Sequence, residues 1–394
     1  MSHPDDLDSD GPLTGIRVID FTMAFAGPLS TMLLADMGAD VIKIEDVSRP
    51  ESLEMMRISL NRNKRSVSVN LKTPAGLQVA RDLIATAQVV VSSFRPGVMA
   101  GFGLGADDLL GERPDLIYAS LSGYGETGPQ AHRRSMDKIV QAESGLMSIG
   151  SMIDQVALVD CTAGTTLASA IVAALFRRER TGRGGRVSGR LLDAGLLLQM
   201  PSIASFSVSG STDGTAVAGY PVADLFDTAD GAVFIAAYYD WHWRALCEVL
   251  GLQDLAEDPR FVTREQRTLP ENASVLRPLL REIVGSWRRD QLVAALDKAG
   301  VMVTAIRRYP EIFADPQVLL NETFIDAPYR DGTVKLVRPP FTFDDRPTRF
   351  VRPTPEIGDD TIAVLGEIGY EQERIAGLLG EHVVYDSGGH GIPG

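Results

Sequence analysis

The sequence predicts an α/β protein, with a Rossmann-like open parallel sheet in a large domain and a smaller α+β domain. Three observations lead to this prediction. Apolar runs of strand length alternate with helical patterns through the first third of the chain. A stretch rich in Ser, Gly and Thr begins near residue 202, and a Pro-rich stretch precedes two short C-terminal helices. Strand–helix–strand order is the building unit of a parallel sheet.

The first third supplies the elements of the sheet. Strands are predicted at 16–21, 39–45, 88–94 and 116–121, and helices at 29–37 and 74–87. Ligands of open α/β sheets bind beyond the carboxyl ends of the strands, where residues 24–27 and 92–97 would lie. Residues 24–28 read AFAGP instead of G-x-G-x-x-G, which disfavours a nicotinamide or flavin cofactor.

The remaining chain divides by composition. We predict a disordered tail at 1–12, the first part of the large domain at 13–200, a connector at 201–222 and a small α+β domain at 223–330. A second connector at 331–355 leads to a segment at 356–385 that returns to the large domain, followed by a disordered tail at 386–394. Within the small domain, a DTADG turn joins two strands and helices follow at 241–250, 273–287 and 289–298.

Composition excludes several classes of function. The net charge of −14 disfavours nucleic-acid binding, and the sequence predicts no metal site and no permanently bound cofactor. The acidic N-terminus is unlike a signal peptide. The sequence contains no run of eighteen apolar residues, so it predicts no membrane span. Its two cysteines suit a reducing cytoplasm. Basic residues are concentrated in the first third, where they could form an anion pocket: Arg62, Lys64, Arg65, Lys72, Arg95, Arg133 and Arg134.

The most informative segment runs from residue 157 to 194. Asp160 and Thr162 are cap-type residues at the mouth of a long apolar helix, which ends in a basic, glycine-broken turn, TGRGGR. Taken alone, Asp160 would be interpreted as a helix cap. A carboxylate at a helix N-terminus can also be held as an anion and used as a nucleophile, with the helix N–H groups as oxyanion donors.

The segment and its context resemble the class III coenzyme A transferases, of the CaiB/BaiF type. The reactive-aspartate helix, the AAL run before Arg177 and Arg178, and the TGRG turn fit the family pattern. Further matching blocks are GIRVIDFTMAFAGPLSTMLLADMGADVIKIE, LNRNKRSVSVNLKTPAG, FRPGVMAGFGLG, LSGYGETGP and DKIVQAESGLMSIG. The resemblance implies acyl-CoA and carboxylic acid substrates, without a metal, and a homodimer of two interlocked subunits.

The resemblance also implies roles for individual residues. Asp160 matches the nucleophile, which would carry an aspartyl anhydride and then an aspartyl-CoA thioester. The positions that match coenzyme A contacts are Phe25, Ala26, Val69, Asn70, Leu71, Lys72, Ser93, Phe94, Arg95, Arg134 and Asp137. Ser93 replaces the family's usual asparagine, and Asp46 and Gly101 stand where formyl-CoA transferase-like members have arginines.

Three alternatives stay open from the sequence. Cys161 is a rival nucleophile, because a helix N-terminus lowers the pKa of a thiol. The racemase branch of the family needs a histidine where this chain has Met136, and methionine cannot transfer a proton, which favours CoA transfer over α-epimerisation. A catalytically silent acyl-CoA-binding protein is the third, because Tyr238 and Tyr239 occupy the region of the family's flexible glycine loop. We expect Met136, Tyr238 and Tyr239 to line a substrate pocket.

Overall fold

The protein is described by a computed structural model that covers residues 11–46, 54–149, 156–210 and 220–388. Most of the tails predicted at 1–12 and 386–394, and part of the predicted connector at 201–222, lie outside these ranges. The chain forms two compact units. One comprises Met1–Leu198 and Leu319–Gly394, and the other comprises Gln199–Val318.

The first unit is built on a largely parallel sheet. Its described strands are β1 (Arg17–Phe21), β2 (Asp40–Glu45), β3 (Arg65–Val69), β4 (Val89–Ser92), β5 (Ile117–Ser122), β6 (Gly185–Arg190) and β14 (Val384–Tyr385). Their order in the sheet is β14-β3-β2-β1-β4-β5-β6. The neighbours from β3 to β6 are parallel, whereas β14 is antiparallel to β3. The order reverses between β1 and β4, and such a switch point is where open α/β sheets bind their ligands.

Helices cover both faces of this sheet. In chain order, the helices of the first unit before its C-terminal part are α1 (Ala26–Asp36), α2 (Glu54–Leu60), α3 (Pro74–Ala85), α4 (Val98–Gly101), α5 (Ala106–Glu112), α6 (Asp137–Glu143), α7 (Leu158–Thr181) and α8 (Leu191–Leu197). A short 3₁₀ helix at Leu146–Ile149 follows α6. Buried side chains of α3 fill the core on one face of the sheet, and those of α1, α7 and α8 fill the core on the other.

Local sequence signals explain where these helices begin and end. The Thr73 hydroxyl accepts a hydrogen bond from the Gly76 N–H at 3.0 Å, and Pro74 occupies the first turn, so α3 begins with a side-chain cap. Gly182 closes α7 with φ of +69°, a left-handed conformation that glycine adopts without steric cost.

Helix α7 is the central helix of one face. It is long and apolar enough to cross a membrane by length and composition, but its Val159, Ala163, Leu167 and Ile171 side chains are buried against the protein. It packs on α1, and Gly164 makes that approach possible, because a Cβ there would lie 2.6 Å from the Ala26 carbonyl oxygen. The helix is thus part of the hydrophobic core.

The second unit has its own antiparallel sheet, β7 (Ala223–Thr228), β8 (Gly231–Ala236) and β9 (Met302–Ala305). The DTADG turn joins β7 to β8 in an antiparallel pair, as its sequence predicts. The helices that follow α8 up to residue 320 are α9 (Met200–Ser209), α10 (Asp240–Leu250), α11 (Gln253–Glu257), α12 (Arg264–Thr268), α13 (Pro270–Gly285), α14 (Arg289–Lys298), α15 (Tyr309–Phe313) and α16 (Pro316–Leu320). Trp243 is fully buried in this unit's core.

Two segments predicted as connectors contain regular structure. Helix α9 occupies the beginning of the 201–222 stretch, and strand β11 (Gly332–Val337) falls in the 331–355 stretch, where it pairs with β10 (Phe324–Tyr329). A minimal pair, β12 (Thr342–Phe343) with β13 (Arg346–Pro347), follows. Helices α17 (Thr361–Glu367) and α18 (Gln372–Gly380) then return the chain to the main sheet, where β14 adds to its edge. The proline and glycine content of these stretches correctly predicted turns, but it gave no signal for the short strands between the turns.

Candidate active site

Two adjoining clefts open at the carboxyl edge of the main sheet. The first, called here the nucleotide-side cleft, has a volume of about 510 Å³ and lies at the ends of β1, β2 and β3. The second, called the carboxylate cleft, has a volume of about 500 Å³ and contains Asp160. Both are lined by Met23, Ser93, Phe94 and Arg95, so the loops that follow β1 and β4 separate them.

A hydrogen bond joins those two loops. The Met23 backbone N–H donates to the Ser93 hydroxyl oxygen at 2.8 Å. Ala24, next along the chain, has φ of +64°, a left-handed conformation that is uncommon for a residue with a side chain. Helix α1 therefore begins at Ala26, three residues before the start that its apolar pattern predicts, and Phe25 and Ala26 line the carboxylate cleft.

Asp160 lies in the first turn of α7, but it is not the cap of that helix. The helix begins at Leu158, with Ala157 as its N-cap residue and no side-chain cap bond. The Asp160 backbone N–H instead donates to Asp137 Oδ1 at 3.0 Å, and the Asp137 Oδ2 atom accepts a short hydrogen bond from the Gln141 amide. Asp137, the first residue of α6, thus provides the acceptor for a helix N–H group that has no partner within α7.

The environment of Asp160 favours its neutral form more than water does. Burial, followed by the negative charge of Asp137, raises the pKa of Asp160 from 3.8 to about 7. The expectation that the helix terminus holds this carboxylate as an anion is therefore incomplete, because desolvation outweighs the helix dipole. The expectation that N–H groups of this helix start serve as oxyanion donors also needs correction, because two of them already have acceptors. The Asp160 N–H donates to Asp137, and the Cys161 N–H donates to the Ala157 carbonyl at 2.8 Å.

Cys161 has the opposite environment to that of a reactive thiol. Burial, followed by the charges of Asp160 and Asp137, raises its pKa above the ordinary value. A thiol nucleophile needs a lowered pKa, so the sequence argument for Cys161 loses its physical basis. Cys161 is also absent from the residues that line the carboxylate cleft.

The residues with implied coenzyme A contacts divide between the clefts. Val69, Leu71 and Lys72 line the nucleotide-side cleft, whereas Arg134 and Asp137 line the carboxylate cleft. Asn70 lines neither. Its side-chain oxygen accepts a hydrogen bond from the Lys72 backbone N–H at 3.1 Å, which supports the turn after β3.

The predicted anion pocket of basic residues is only partly present. Arg62 and Lys64 are buried, and each forms an ion pair, Arg62 with Asp36 at 2.6 Å and Lys64 with Asp20 at 3.1 Å. Arg65 binds Asp40 and Glu367. These three cations are therefore committed to the fold, and the prediction that they form an anion pocket is wrong. Lys72, Arg95, Arg133 and Arg134 do line the clefts.

The residues predicted to line a substrate pocket lie in different units. Met136 is exposed and lines the carboxylate cleft, next to Asp137. Tyr238 and Tyr239 belong to the second unit, where Tyr239 is exposed and stacks near Trp241. Gly101 ends α4 and lines neither cleft, whereas Asp46 lines the nucleotide-side cleft.

The sequence interpretation assigned no role to several residues that shape the carboxylate cleft. Gln141 is buried and binds Asp137, and Met23, Met56 and Val156 supply apolar walls. Met23 lies two residues after the end of β1, so its position after a strand was a usable signal. Gln141 carried no such signal, because its role depends on a neighbour four residues away on one helix face. Among the described residues, no three His, Cys, Asp or Glu side chains form a group suited to a metal ion.

Comparison with known proteins identifies the family to which this chain is similar. The profile of CoA-transferase family III matches residues 13–361. A succinate–glutarate CoA-transferase of Agrobacterium fabrum is 35% identical over 384 residues, which cover 91% of this chain and 96% of that protein. An acetyl-CoA:oxalate CoA-transferase of Acetobacter aceti is 32% identical over 335 residues, covering 80% of this chain and 86% of that protein. The crystal structure of a CaiB/BaiF family protein from Brucella suis superposes with a TM-score of 0.80 at 31% identity, covering 91% of this chain and all of the other.

Proposed function

This chain belongs to CoA-transferase family III and moves coenzyme A from an acyl-CoA to a carboxylic acid, and from that premise we propose that Asp160 is the group through which the transfer proceeds. The observation that carries the proposal is the position of Asp160. It is a half-buried carboxyl in a cleft that adjoins a second cleft of similar size. Coenzyme A would occupy both, with its nucleotide in the nucleotide-side cleft and its pantetheine arm passing Met23 and Ser93 toward Asp160.

In the proposed mechanism, the transfer proceeds through two half-reactions, which form and then consume a CoA thioester on Asp160. An Asp160 carboxylate oxygen attacks the thioester carbonyl and the C–S bond breaks. CoA thiolate departs, and the acyl group stays on Asp160 as a mixed anhydride. The thiolate then attacks the Asp160 carbonyl, which forms the aspartyl-CoA thioester and releases the donor acid. The acceptor carboxylate attacks this thioester, CoA thiolate leaves again, and its attack on the acceptor's acyl carbon gives the new acyl-CoA and regenerates Asp160.

The raised pKa of Asp160 supports this role. A carboxylate with a pKa near 7 is a stronger base and a better nucleophile, when ionised, than one with the ordinary value of 3.8. Near neutral pH a substantial fraction is ionised, so reactivity is gained without losing the reactive form. The apolar walls of the cleft, which include Met23, Leu121 and Val156, favour anhydride formation by keeping water away.

We propose dicarboxylic acids as the acceptor class. The two relatives compared above act, by name, on succinate and glutarate or on oxalate, which are all dicarboxylates. The carboxylate cleft is also rich in cations: Arg95, Arg133, Arg134 and Lys138 line it with two acidic residues, Asp137 and Asp160. Arg133 already pairs with Glu143, whereas the exposed Arg134 is the better candidate to bind the carboxylate that does not react.

We further propose that the protein acts as a homodimer in the cytoplasm. Helix α9 has no buried residue although it carries Met200, Ile203 and Phe206, and Phe176 on α7 is also exposed. Apolar side chains of this size are normally covered, and a second copy of the chain would cover them. Sedimentation of the wild type and of Phe206→Asp tests this: a dimer that Phe206→Asp weakens is expected, and a monomeric wild type would contradict the proposal.

Two free cysteines and no disulfide suit the cytoplasm, and a fractionation experiment would check this location.

The covalent intermediate is tested by mass spectrometry of the intact protein mixed with a panel of acyl-CoA thioesters. We expect a CoA adduct that hydroxylamine removes, mapped to the peptide containing Asp160. The adduct should be absent in Asp160→Asn and present in Cys161→Ala. An adduct on Cys161, or full transfer activity in folded Asp160→Asn, would refute the mechanism.

The same mixtures distinguish transfer from epimerisation. In heavy water, a 2-methylacyl-CoA should gain no deuterium at its α-carbon, because Met136 and its neighbours provide no histidine to exchange that proton. Incorporation that depends on Asp160 would instead favour the racemase chemistry.

A further inference from the structure

A carboxylate, Asp46, lies in the nucleotide-side cleft at a position where nucleotide-binding sheets select their ligands. Asp46 directly follows β2, and β2 is the neighbour of β1 on the side away from the β1–β4 switch point. Its half-buried side chain lines the cleft together with Lys72 and Arg95. In open α/β sheets an acidic residue after β2 accepts hydrogen bonds from ribose hydroxyls, whereas a cation there accommodates a ribose phosphate.

Among the described residues, four other charged groups line this cleft: Lys43, Glu45, Lys72 and Arg95. Lys43 is buried and its ammonium group donates to the Thr22 carbonyl at 2.8 Å. Glu45 accepts hydrogen bonds from Ser66 and from Arg57, whose positive charge compensates its carboxylate, so it belongs to the fold beneath the cleft. Two cations, Lys72 and Arg95, are exposed at the cleft.

The nucleotide of coenzyme A offers these charges two different phosphate groups. Its pyrophosphate is present in every CoA thioester, and Lys72 and Arg95 can bind it whether or not the ribose is phosphorylated. The 3′-phosphate is the group that distinguishes coenzyme A from 3′-dephospho-coenzyme A. A carboxylate repels that dianion and can accept a hydrogen bond from the free 3′-hydroxyl that replaces it.

We propose that Asp46 binds the ribose hydroxyls of the nucleotide and makes this enzyme accept 3′-dephospho-CoA thioesters about as well as CoA thioesters. This inference rests on the proposed placement of the nucleotide in the nucleotide-side cleft. It assigns to Asp46 the selection between the two ribose forms, and to Lys72 and Arg95 a contribution that both forms share.

The test compares kcat/KM for one acyl group carried by CoA and by 3′-dephospho-CoA. In the wild type the ratio of the two values should lie within about threefold of one, because the repulsion offsets any gain from the extra phosphate. Asp46→Asn should raise the ratio in favour of CoA by about fivefold, as expected for removing one charge several ångströms from a dianion in a partly screened site. Asp46→Arg should raise it by about tenfold or more.

The matched control is Asp326→Asn, which makes the same charge change in an exposed ion pair with Lys335 on the β10–β11 hairpin. Its ratio should equal that of the wild type. A wild type that prefers CoA by more than about tenfold, or a ratio that stays within about twofold in both Asp46 variants, overturns the proposal.

Binding measurements separate this inference from the proposed mechanism. Calorimetric titration of the Asp160→Asn protein with CoA and with 3′-dephospho-CoA gives the same ratio without any turnover. If the covalent adduct on Asp160 is not found but the titration ratio still shifts with Asp46, the mechanism fails and the nucleotide assignment stands. If the adduct forms and neither ratio depends on Asp46, the nucleotide assignment fails by itself.

Discussion

Replacing the proposed nucleophile should make the protein more stable, and more so at alkaline pH. Burial, followed by the charge of Asp137, raises the pKa of Asp160 from 3.8 to about 7 in the folded protein. Between these two values the unfolded chain releases the proton while the folded protein keeps it. The free energy of unfolding therefore falls as the pH rises from about 4 to about 7, and it levels off above that range. Asp160→Asn has no such group to ionise, so it avoids the loss.

The magnitude follows from the two pKa values. Each unit of difference is worth about 1.4 kcal/mol, so a shift of roughly three units costs the wild type on the order of 4 kcal/mol at pH 8. At pH 5 the unfolded carboxyl has passed its ordinary pKa by little more than one unit, and the cost is about 1.5 kcal/mol. The stabilisation by Asp160→Asn should thus increase by about 3 kcal/mol between pH 5 and pH 8.

Urea unfolding at pH 5, 6, 7 and 8 measures this difference, with Asp326→Asn as the control for removing an exposed carboxylate. The control should change the stability by less than about 1 kcal/mol at every pH. If Asp160→Asn stabilises the protein equally at pH 5 and at pH 8, or destabilises it at both, the assignment of a buried carboxyl with a raised pKa is refuted.

Three further substitutions test the surroundings. Asp137→Asn keeps an oxygen that accepts the Asp160 N–H but removes a negative charge. The midpoint of the acid limb in the pH profile of kcat/KM should therefore fall by roughly half a pH unit to one pH unit. A rise of this midpoint would contradict the sign of the coupling. Lys64→Met leaves Asp20 buried without its partner and should cost about 3–5 kcal/mol in urea unfolding, and a loss below about 1 kcal/mol would show that the ion pair is dispensable. Cys161→Ala should retain most of its transfer activity in a coupled assay, whereas inactivity in a folded protein would restore the thiol as a candidate.

The sequence predicted four of the seven strands described in the sheet of the first unit, because the signals for these four are local, whereas β3, β6 and β14 were not predicted. The buried strands β1, β2, β4 and β5 are runs of apolar residues bounded by polar or glycine-containing loops, and their observed limits agree with the predictions to within two residues. Helix α14 has the predicted limits, 289–298. The start of α1 was missed, since it depends on the left-handed backbone at Ala24, which the sequence does not reveal.

The candidate site was less predictable, because its electrostatics depend on partners that are distant in the chain. A cluster of cations in the sequence does not show which ones are neutralised, and only the fold brings Arg62 to Asp36 and Lys64 to Asp20. Similarly, Asp160 resembles a helix cap by residue type, yet the acceptor for its N–H group is Asp137, 23 residues earlier. The sequence identified both carboxyls, but not that one of them raises the pKa of the other.

Asp137 connects the reactivity of the site to its stability. It accepts a hydrogen bond from the Asp160 N–H at the start of α7, which favours folding. Its charge also helps to keep Asp160 protonated, which costs stability once the pH exceeds the ordinary pKa of a carboxyl. Both effects come from one carboxylate that the Gln141 amide holds in place. A neutral acceptor at position 137 would preserve the helix start but give a less basic nucleophile, so the stability spent at Asp160 is the physical consequence of tuning its basicity toward neutral pH.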